Sequence, residues 1–408
     1  MARLQRIIER LELKEFQLRA LLDVTKAINN NMDRAELLAL YEGIMRDDLG
    51  ITRLMLFERT DRMARVLSFG GRPDDPEPDG DQLMGGFTDI QVIGSGSAGS
   101  LGAFDVAVPV FHREKPLALL LIGDIDEDEH GMSPAVKHLN FVQTLTNLIV
   151  VAMENQRLVR QALHQERARR ELELAAEMQS MLVPRELPDN ERIQAAAWYQ
   201  PHSEVGGDYY DLVPLPDDRL LLCIADVSGK GIAAALLMSN LQANLRAMAG
   251  RAAHDLPGFV EELNRRVGEN ARGERFVTLF VGHINLRDRT MRYVNAGHNP
   301  PLLHHAGHTR ELTLGCTPLG MLPTLPMLKV GTVDLPRASV LLCFTDGLVE
   351  QGNEADVEFG TDVLQRILDT TGAAGAHAVN HAVKATFEAH RGHQPYLDDT
   401  ALLTCVFP

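Results

Sequence analysis

In the second half of the chain, acidic residues recur in one unusual setting. Asp208 in EVGGDYYD, Asp226 in CIADVSGKG, Asp346 in CFTDGLVE, and the pair Asp398 and Asp399 in YLDDTALL each sit at the end of an apolar run or in a Gly-containing turn beside one. Alone, such a carboxylate is an ordinary turn or helix-capping group. Several brought to one point would repel unless cations neutralised them, and hard divalent ions take oxygen ligands of this kind. Two Mg²⁺ or Mn²⁺ ions bridged by an aspartate would also supply a nucleophile. Coordination lowers the pKa of water toward neutrality, and ions about 3.5 to 4 Å apart clamp the attacking and leaving oxygens of a phosphate ester.

These groups need a scaffold of strand ends. Strands are expected at Leu220 to Asp226, Phe276 to Ile284, Met291 to Asn295, Val340 to Thr345 and Ala401 to Phe407, with helices over Ile232 to Ala249, Leu256 to Glu269, Thr361 to Ile367 and Ala376 to Ala389. Strands interleaved with helices, many joined by turns short enough for antiparallel pairing, predict an α+β layered domain.

The first half has a different pattern. Leu4, Ile8, Leu11, Leu18 and Leu22 follow steps of four and three, interrupted at Glu15, which predicts a heptad-spaced helix over residues 1–20. Residues 21–152 mix an amphipathic helix (Ala35 to Asp48) with strand runs at Thr52 to Phe57, Arg65 to Phe69, Ala103 to Phe111 and Leu117 to Ile122, the pattern of an α/β sensor module. Arg72 to Gly86 is too rich in Pro, Asp and Gly for a helix or central strand and is expected as a surface loop, either covering a ligand or simply solvated. From Ala135 to Val183 no Pro or Gly interrupts a helical pattern that stops at Pro184. Such a helix is too long for an ordinary globular element. Val151, Leu158, Ala162, Leu172 and Ala176 keep heptad spacing while Asn155, Gln165, Arg169 and Gln179 fill other seam positions. A seam broken by polar residues predicts an adjustable coiled-coil contact in a homodimer, favoured over a helix that simply packs on its own domain, with residues 153–184 as linker to a domain at 185–408.

Bulk composition narrows the partners. Lys and Arg total 40 against 56 Asp and Glu, a formal charge of −16, with no basic block, which argues against nucleic acid and anionic membrane. No apolar run approaches the ~20 residues needed to span a bilayer and no signal-peptide pattern opens the chain, so a cytoplasmic protein without membrane insertion is expected. Cys223, Cys316, Cys343 and Cys405 lack CxxC spacing and lie in or beside apolar runs, as buried reduced thiols do.

The segments EVGGDYYD (204–211), ADVSGKGIAAALL (225–237), FVTLF (276–280), YVNAGHNPPLL (293–303), TPLGM (317–321), FTDGLVE (344–350) and DDTALL (398–403) resemble, in order, the SpoIIE/RsbU-type branch of the metal-dependent PPM serine/threonine phosphatases. The resemblance covers residues 160–408 and implies a β-sandwich flanked by helices with two Mn²⁺ or Mg²⁺ ions at one end. Carried over by position, Asp226 would bridge the ions, the Val227 carbonyl would bind one of them, Asp346 and Asp398 would be direct ligands, and Asp208 would complete the site directly or through water. Asp399 would be a ligand or the group that orients one. It further implies a phosphoserine or phosphothreonine substrate on an anti-sigma-factor antagonist or another phosphoprotein.

The family's final motif is usually DDxT, whereas here Thr400 follows Asp399 directly, which displaces the hydroxyl by one position. Ser228 stands where distant eukaryotic members carry a candidate general-acid His, so the proton donor is unassigned. Lys230 is either a phosphate or leaving-group partner or an exposed loop lysine. His298 in NAGHNPP is expected to serve a structural turn, and His304, His305 and His308 the tip of a hairpin. The N-terminal module is similar to a GAF domain in its helix-first order and in LGAFDVAVPVFHREKPLALLLIGDI (101–125), which implies an unidentified small-molecule or protein signal.

Two other functions compete with this reading. A pseudophosphatase scaffold is disfavoured by the survival of every acidic position. A GAF-coupled nucleotide-signalling or kinase enzyme would need a phosphate-cradling Gly-rich loop, and GKG at 229–231 lacks the flanking spacing.

Overall fold

The computed structural model describes residues 2–71, 78–84, 86–93, 101, 104–112, 115–123 and 138–408. They fall into two compact units, Met1–Glu166 and Arg167–Pro408. Among the described residues no helix is long and apolar enough to cross a membrane.

In the first unit, α1 (Ala2–Asn29) runs unbroken through residue 20. Its heptad residues Leu4, Leu11 and Leu18 are exposed, and it enters a core first through half-buried Phe16, whose ring lies 6.1 Å from that of Phe141, and then through Ala20, Val24 and Ala27. The change near residue 20 is therefore one of burial and not of secondary structure. α2 (Arg34–Gly43) starts at a capping box in which Asp33 and Glu36 satisfy each other's backbone N–H, and continues as a π turn over Ile44–Asp48. The antiparallel sheet has the order β2-β1-β5-β4-β3, from β1 (Arg53–Arg59), β2 (Met63–Phe69), β3 (Gln91–Val92), β4 (Val106–His112) and β5 (Lys115–Gly123). Within the segment expected as loop, Gly80–Met84 forms a short helix, α3, because Asp79 Oδ1 accepts the N–H groups of Asp81 and Gln82. Most of the acidic stretch before it lies outside the described residues. Alternate residues of β4 and β5 split the sheet's two faces: Val106, Val108, Leu120 and Ile122 join α1, α2 and the start of α4 (Leu139–Ser180), while Ala107, Leu119 and Leu121 join Phe57 and Phe104.

The second unit is a four-layer α+β sandwich. One sheet has the order β13-β10-β9-β8-β7, with β14 also on β10, from β7 (Tyr209–Leu215), β8 (Arg219–Val227), β9 (Val277–Asn285), β10 (Thr290–Ala296), β13 (Gly315–Cys316) and β14 (Gly331–Asp334). The other has the order β12-β11-β15-β16-β6, from β6 (Gln194–Gln200), β11 (Leu302–His305), β12 (His308–Glu311), β15 (Ser339–Phe344) and β16 (Thr400–Phe407). Period-two alternation builds the layers. Leu220, Leu222 and Ile224 of β8 meet Leu341 and Cys343 of β15 and Leu403 and Cys405 of β16 between the sheets. Leu221, Cys223 and Ala225 face α5 (Ile232–Ala252) and α6 (Leu256–Ala271). On the far side, Val340, Leu342 and Leu402 pack under α8 (Thr361–Thr371) and α9 (Ala376–Arg391). Three of the four free cysteines are buried in these layers and Cys316 is half-buried.

Candidate metal centre

The five sequence-selected aspartates converge at one end of this sandwich, drawn from both sheets. Asp226 is the penultimate residue of β8, Asp208 precedes β7, Asp346 opens the short helix α7 (Asp346–Val349) after β15, and Asp398 and Asp399 precede β16. Two glycines permit the close approach. A Cβ on Gly207 would lie 2.9 Å from the Val227 carbonyl oxygen, and one on Gly347 only 2.0 Å from the Asp399 carbonyl oxygen.

Their proximity shows in their electrostatics. Asp208 is buried, and burial followed by the Asp226 charge pushes its pKa well above the usual carboxylate range, against a hydrogen bond from Thr345 that favours the ionised form. Burial, then Asp346 and Asp398, pushes Asp226 up to about 7, partly offset by its hydrogen bond with Asp208. Asp346 is raised by burial and by Asp398.

Asp399 has a separate role. Its Oδ1 accepts the His202 N–H at 2.8 Å and its Oδ2 the Gly207 N–H at 2.5 Å, so both oxygens hold the loop that leads to Asp208. That loop is gripped on its other side by Gln179, whose Nε2 donates to the Gly206 carbonyl at 2.6 Å while its Oε1 accepts the Gly206 N–H at 3.1 Å. Gln179, assigned by heptad spacing to a helix seam, is instead buried in this contact. Thr345 completes the frame: it donates to Asp208 Oδ2 at 2.7 Å and accepts the Ala401 N–H at 2.8 Å. Neither Gln179 nor Thr345 stood out in the sequence, although Thr345 directly precedes Asp346.

Around the cluster, the Lys230 ammonium lies 3.0 Å from Asp398 Oδ2 and also donates to the Leu397 carbonyl. Ser228 extends the β8–β9 ladder, its Oγ accepting the Phe276 N–H at 2.9 Å, which ties the hydroxyl to the backbone. Arg275, which the sequence did not single out, donates to the Ser228 carbonyl at 2.6 Å. Thr400 Oγ1 approaches the Asp398 carbonyl at 3.4 Å, the displaced hydroxyl thus staying beside the acidic pair. His305 and His308 pair across the β11–β12 hairpin, apart from the aspartates.

Among the described residues, no three acidic, His or Cys side chains close into a ligating cage around one point. The donor set nonetheless fits a hard divalent cation. Asp208, Asp226, Asp346 and Asp398 offer carboxylate oxygens whose mutual repulsion a cation would relieve, and Gly207, lacking a Cβ, puts no side chain of its own against the Val227 carbonyl.

Comparison with known proteins agrees with this architecture. Residues 216–408 match the family described as Stage II sporulation protein E (SpoIIE). Protein IcfG of Synechocystis sp. is 28% identical over 293 residues, covering 64% of this chain and 45% of that protein. Phosphoserine phosphatase RsbU of Bacillus subtilis is 32% identical over 136 residues, 33% of this chain and 40% of that protein. The chain thus spans less than half the length of these curated relatives. Among solved structures, the SiaA-PP2C domain of Pseudomonas aeruginosa aligns with a TM-score of 0.52 at 20% identity over 60% of this chain and 100% of that one, a likeness of fold.

Proposed function

We propose that this protein, whose residues 216–408 match the SpoIIE family, hydrolyses phosphoserine or phosphothreonine on a signalling protein. One observation carries this reading: aspartates from the strand ends of both sheets come together at one end of the sandwich, where burial and then their mutual repulsion raise the pKa values of Asp208, Asp226 and Asp346. Phosphatases of the family are metal-dependent, and two Mn²⁺ or Mg²⁺ ions held by Asp208, Asp226, Asp346, Asp398 and the Val227 carbonyl would make hydroxide available near neutral pH and neutralise phosphoryl charge. Asp399, Thr345 and Gln179 fix the backbone that presents the ligands. Lys230, at the mouth of the cluster, would meet a phosphoryl oxygen or the leaving oxygen.

The substrate we favour is an anti-sigma-factor antagonist of a partner-switching pathway, the kind of signalling phosphoprotein implied by the resemblance to RsbU-type phosphatases. We assign residues 21–152 to a GAF-like sensor, a reading supported by the five-stranded antiparallel sheet with helices on one face. Exposed Leu4, Ile8, Leu11, Leu18 and Leu22 support pairing of two copies through α1. The test is hydrolysis of para-nitrophenyl phosphate and of a phosphoserine protein with Mn²⁺, Mg²⁺ or chelator, in wild type and Asp226→Asn. Metal-dependent turnover lost in Asp226→Asn is the expected result. No turnover by the folded wild type with any metal would instead make the chain a binding scaffold.

A further inference from the structure

The NAGHNPP segment was expected to serve only a turn, and the structure separates the turn from the histidine. Asn295 closes the turn, which Gly297 enters in the left-handed region (φ +67°): Asn295 Oδ1 accepts the His298 N–H at 2.8 Å, and its Nδ2 donates to the carbonyls of His298 at 3.0 Å and Leu312 at 3.1 Å. These contacts use only the backbone of His298, so the imidazole is left for another purpose. It is 5% exposed and points inward.

Its neighbours lie on both sheets. Nδ1 is 2.9 Å from Thr278 Oγ1. Thr278 stands directly opposite Asp226 in the β8–β9 ladder, and its hydroxyl also reaches the Asp226 carbonyl at 3.4 Å. The His298 Nε2 is buried with no hydrogen-bond partner of normal geometry among the described residues, and the ring's other polar neighbour is the Phe344 backbone. Phe344 ends β15 and immediately precedes Thr345, which holds Asp208, and Asp346. One buried ring therefore spans from the strand beside Asp226 to the strand end that presents the remaining frame. Burial lowers its pKa to about 4 against a smaller opposing effect of the Phe344 backbone, and no carboxylate contributes. A general acid in charge contact with the aspartates would be raised by them.

We propose that His298 is a positioning residue of the phosphatase centre, a buried strut that meets the Thr278 hydroxyl and sits beside the Phe344 backbone, setting the spacing between the Asp226 strand and the Thr345–Asp346 corner. The inference rests on the phosphatase reading above. Groups that orient metal ligands typically change metal affinity about 10- to 100-fold when removed.

The experiment compares wild type, Thr278→Val, His298→Ala, His298→Asn and the Thr278→Val/His298→Ala double variant as full-length protein. Calorimetry gives Mn²⁺ affinity, thermal unfolding gives stability without metal, and para-nitrophenyl phosphate gives turnover at saturating Mn²⁺. Thr278→Val keeps the side-chain volume and removes only the hydroxyl. We expect Thr278→Val and His298→Ala each to weaken Mn²⁺ binding at least about tenfold, with saturated turnover close to wild type. The double variant should be no weaker than His298→Ala, and His298→Asn, which can still meet Thr278, should recover part of the affinity. Unchanged Mn²⁺ affinity in both single variants, whatever their stability, overturns the proposal, as does lost turnover at saturating metal with affinity intact. Wild type that binds no Mn²⁺ would remove the phosphatase reading itself, and the strut with it.

Discussion

Gln179 holds Gly206 by both of its backbone polar groups, through a 2.6 Å bond to the carbonyl and a 3.1 Å bond from the N–H. The side chain belongs to the last turn of α4, and Gly206 lies two residues before Asp208. Gln179→Ala leaves two buried backbone groups without partners, at a cost of about 1 to 3 kcal/mol each. The expected outcome is a lower melting temperature and about tenfold weaker Mn²⁺ binding. Gln179→Glu, which still accepts the N–H but cannot donate to the carbonyl, should fall between the two in calorimetric titration.

Gly207→Ala tests the close approach of two strand ends. The added methyl would sit 2.9 Å from the Val227 carbonyl oxygen and 3.4 Å from the Ala234 Cβ, so the backbone must shift at the very carbonyl assigned to a metal. Phosphatase activity is expected to fall by about two orders of magnitude. Circular dichroism should remain that of the folded protein.

Protons and metal compete for the same carboxylates. Asp226, at about 7, and Asp208, also raised, bind more protons folded than unfolded, since an unfolded Asp titrates near 3.9. The stability tied to these groups is complete below about pH 4 and is lost as pH rises through 7. Metal-free protein should therefore melt at lower temperature at pH 8 than at pH 5.5, and Asp226→Asn should flatten that trend. Mn²⁺ affinity should run the opposite way and rise with pH through 7.

Arg246 and Asp211 form an ion pair that the metal hypothesis does not use. Asp211 is fully buried and accepts from Arg246 Nε at 2.7 Å, from Arg246 Nη2 at 3.0 Å and from the Tyr209 hydroxyl at 2.5 Å. Arg246→Met strands a buried carboxylate and should cost about 3 to 5 kcal/mol in urea unfolding. Adding Asp211→Asn should restore much of the loss, with Mn²⁺ affinity of the folded fraction unchanged.

The sequence disclosed the acidic cluster because each member combined a carboxylate with a strand end, a pattern local enough to be seen within a few residues. The strands of highest apolar content, β8, β9, β15 and β16, were visible for the same reason. β6 was not, because QAAAWYQ offers small residues in place of β-branched ones, and β7 was hidden by Asp211 and Pro214, whose places are set by Arg246 and by the sheet end. The frame behind the ligands was beyond reach for another reason. Gln179 finds Gly206 across 27 positions and Thr345 finds Asp208 across 137, and neither residue type announces such a partner. His298 was conspicuous, and its segment does form the expected turn through Asn295 and Gly297, whereas the contact of its imidazole with Thr278 spans 20 positions.

The order of strands in the second sheet constrains when the centre can exist. β16, with Asp398 and Asp399 just before it, inserts between β6 and β15. During synthesis, β6 must wait with an unpaired edge until residues 400–407 leave the ribosome, a state open to mispairing. A nascent chain halted before Asp398 lacks two of the five clustered aspartates and the strand that follows them. On the proposed reading, translation has to pass Asp398 and Asp399 and add this strand before the centre is whole, and until then β6 keeps a bare sheet edge.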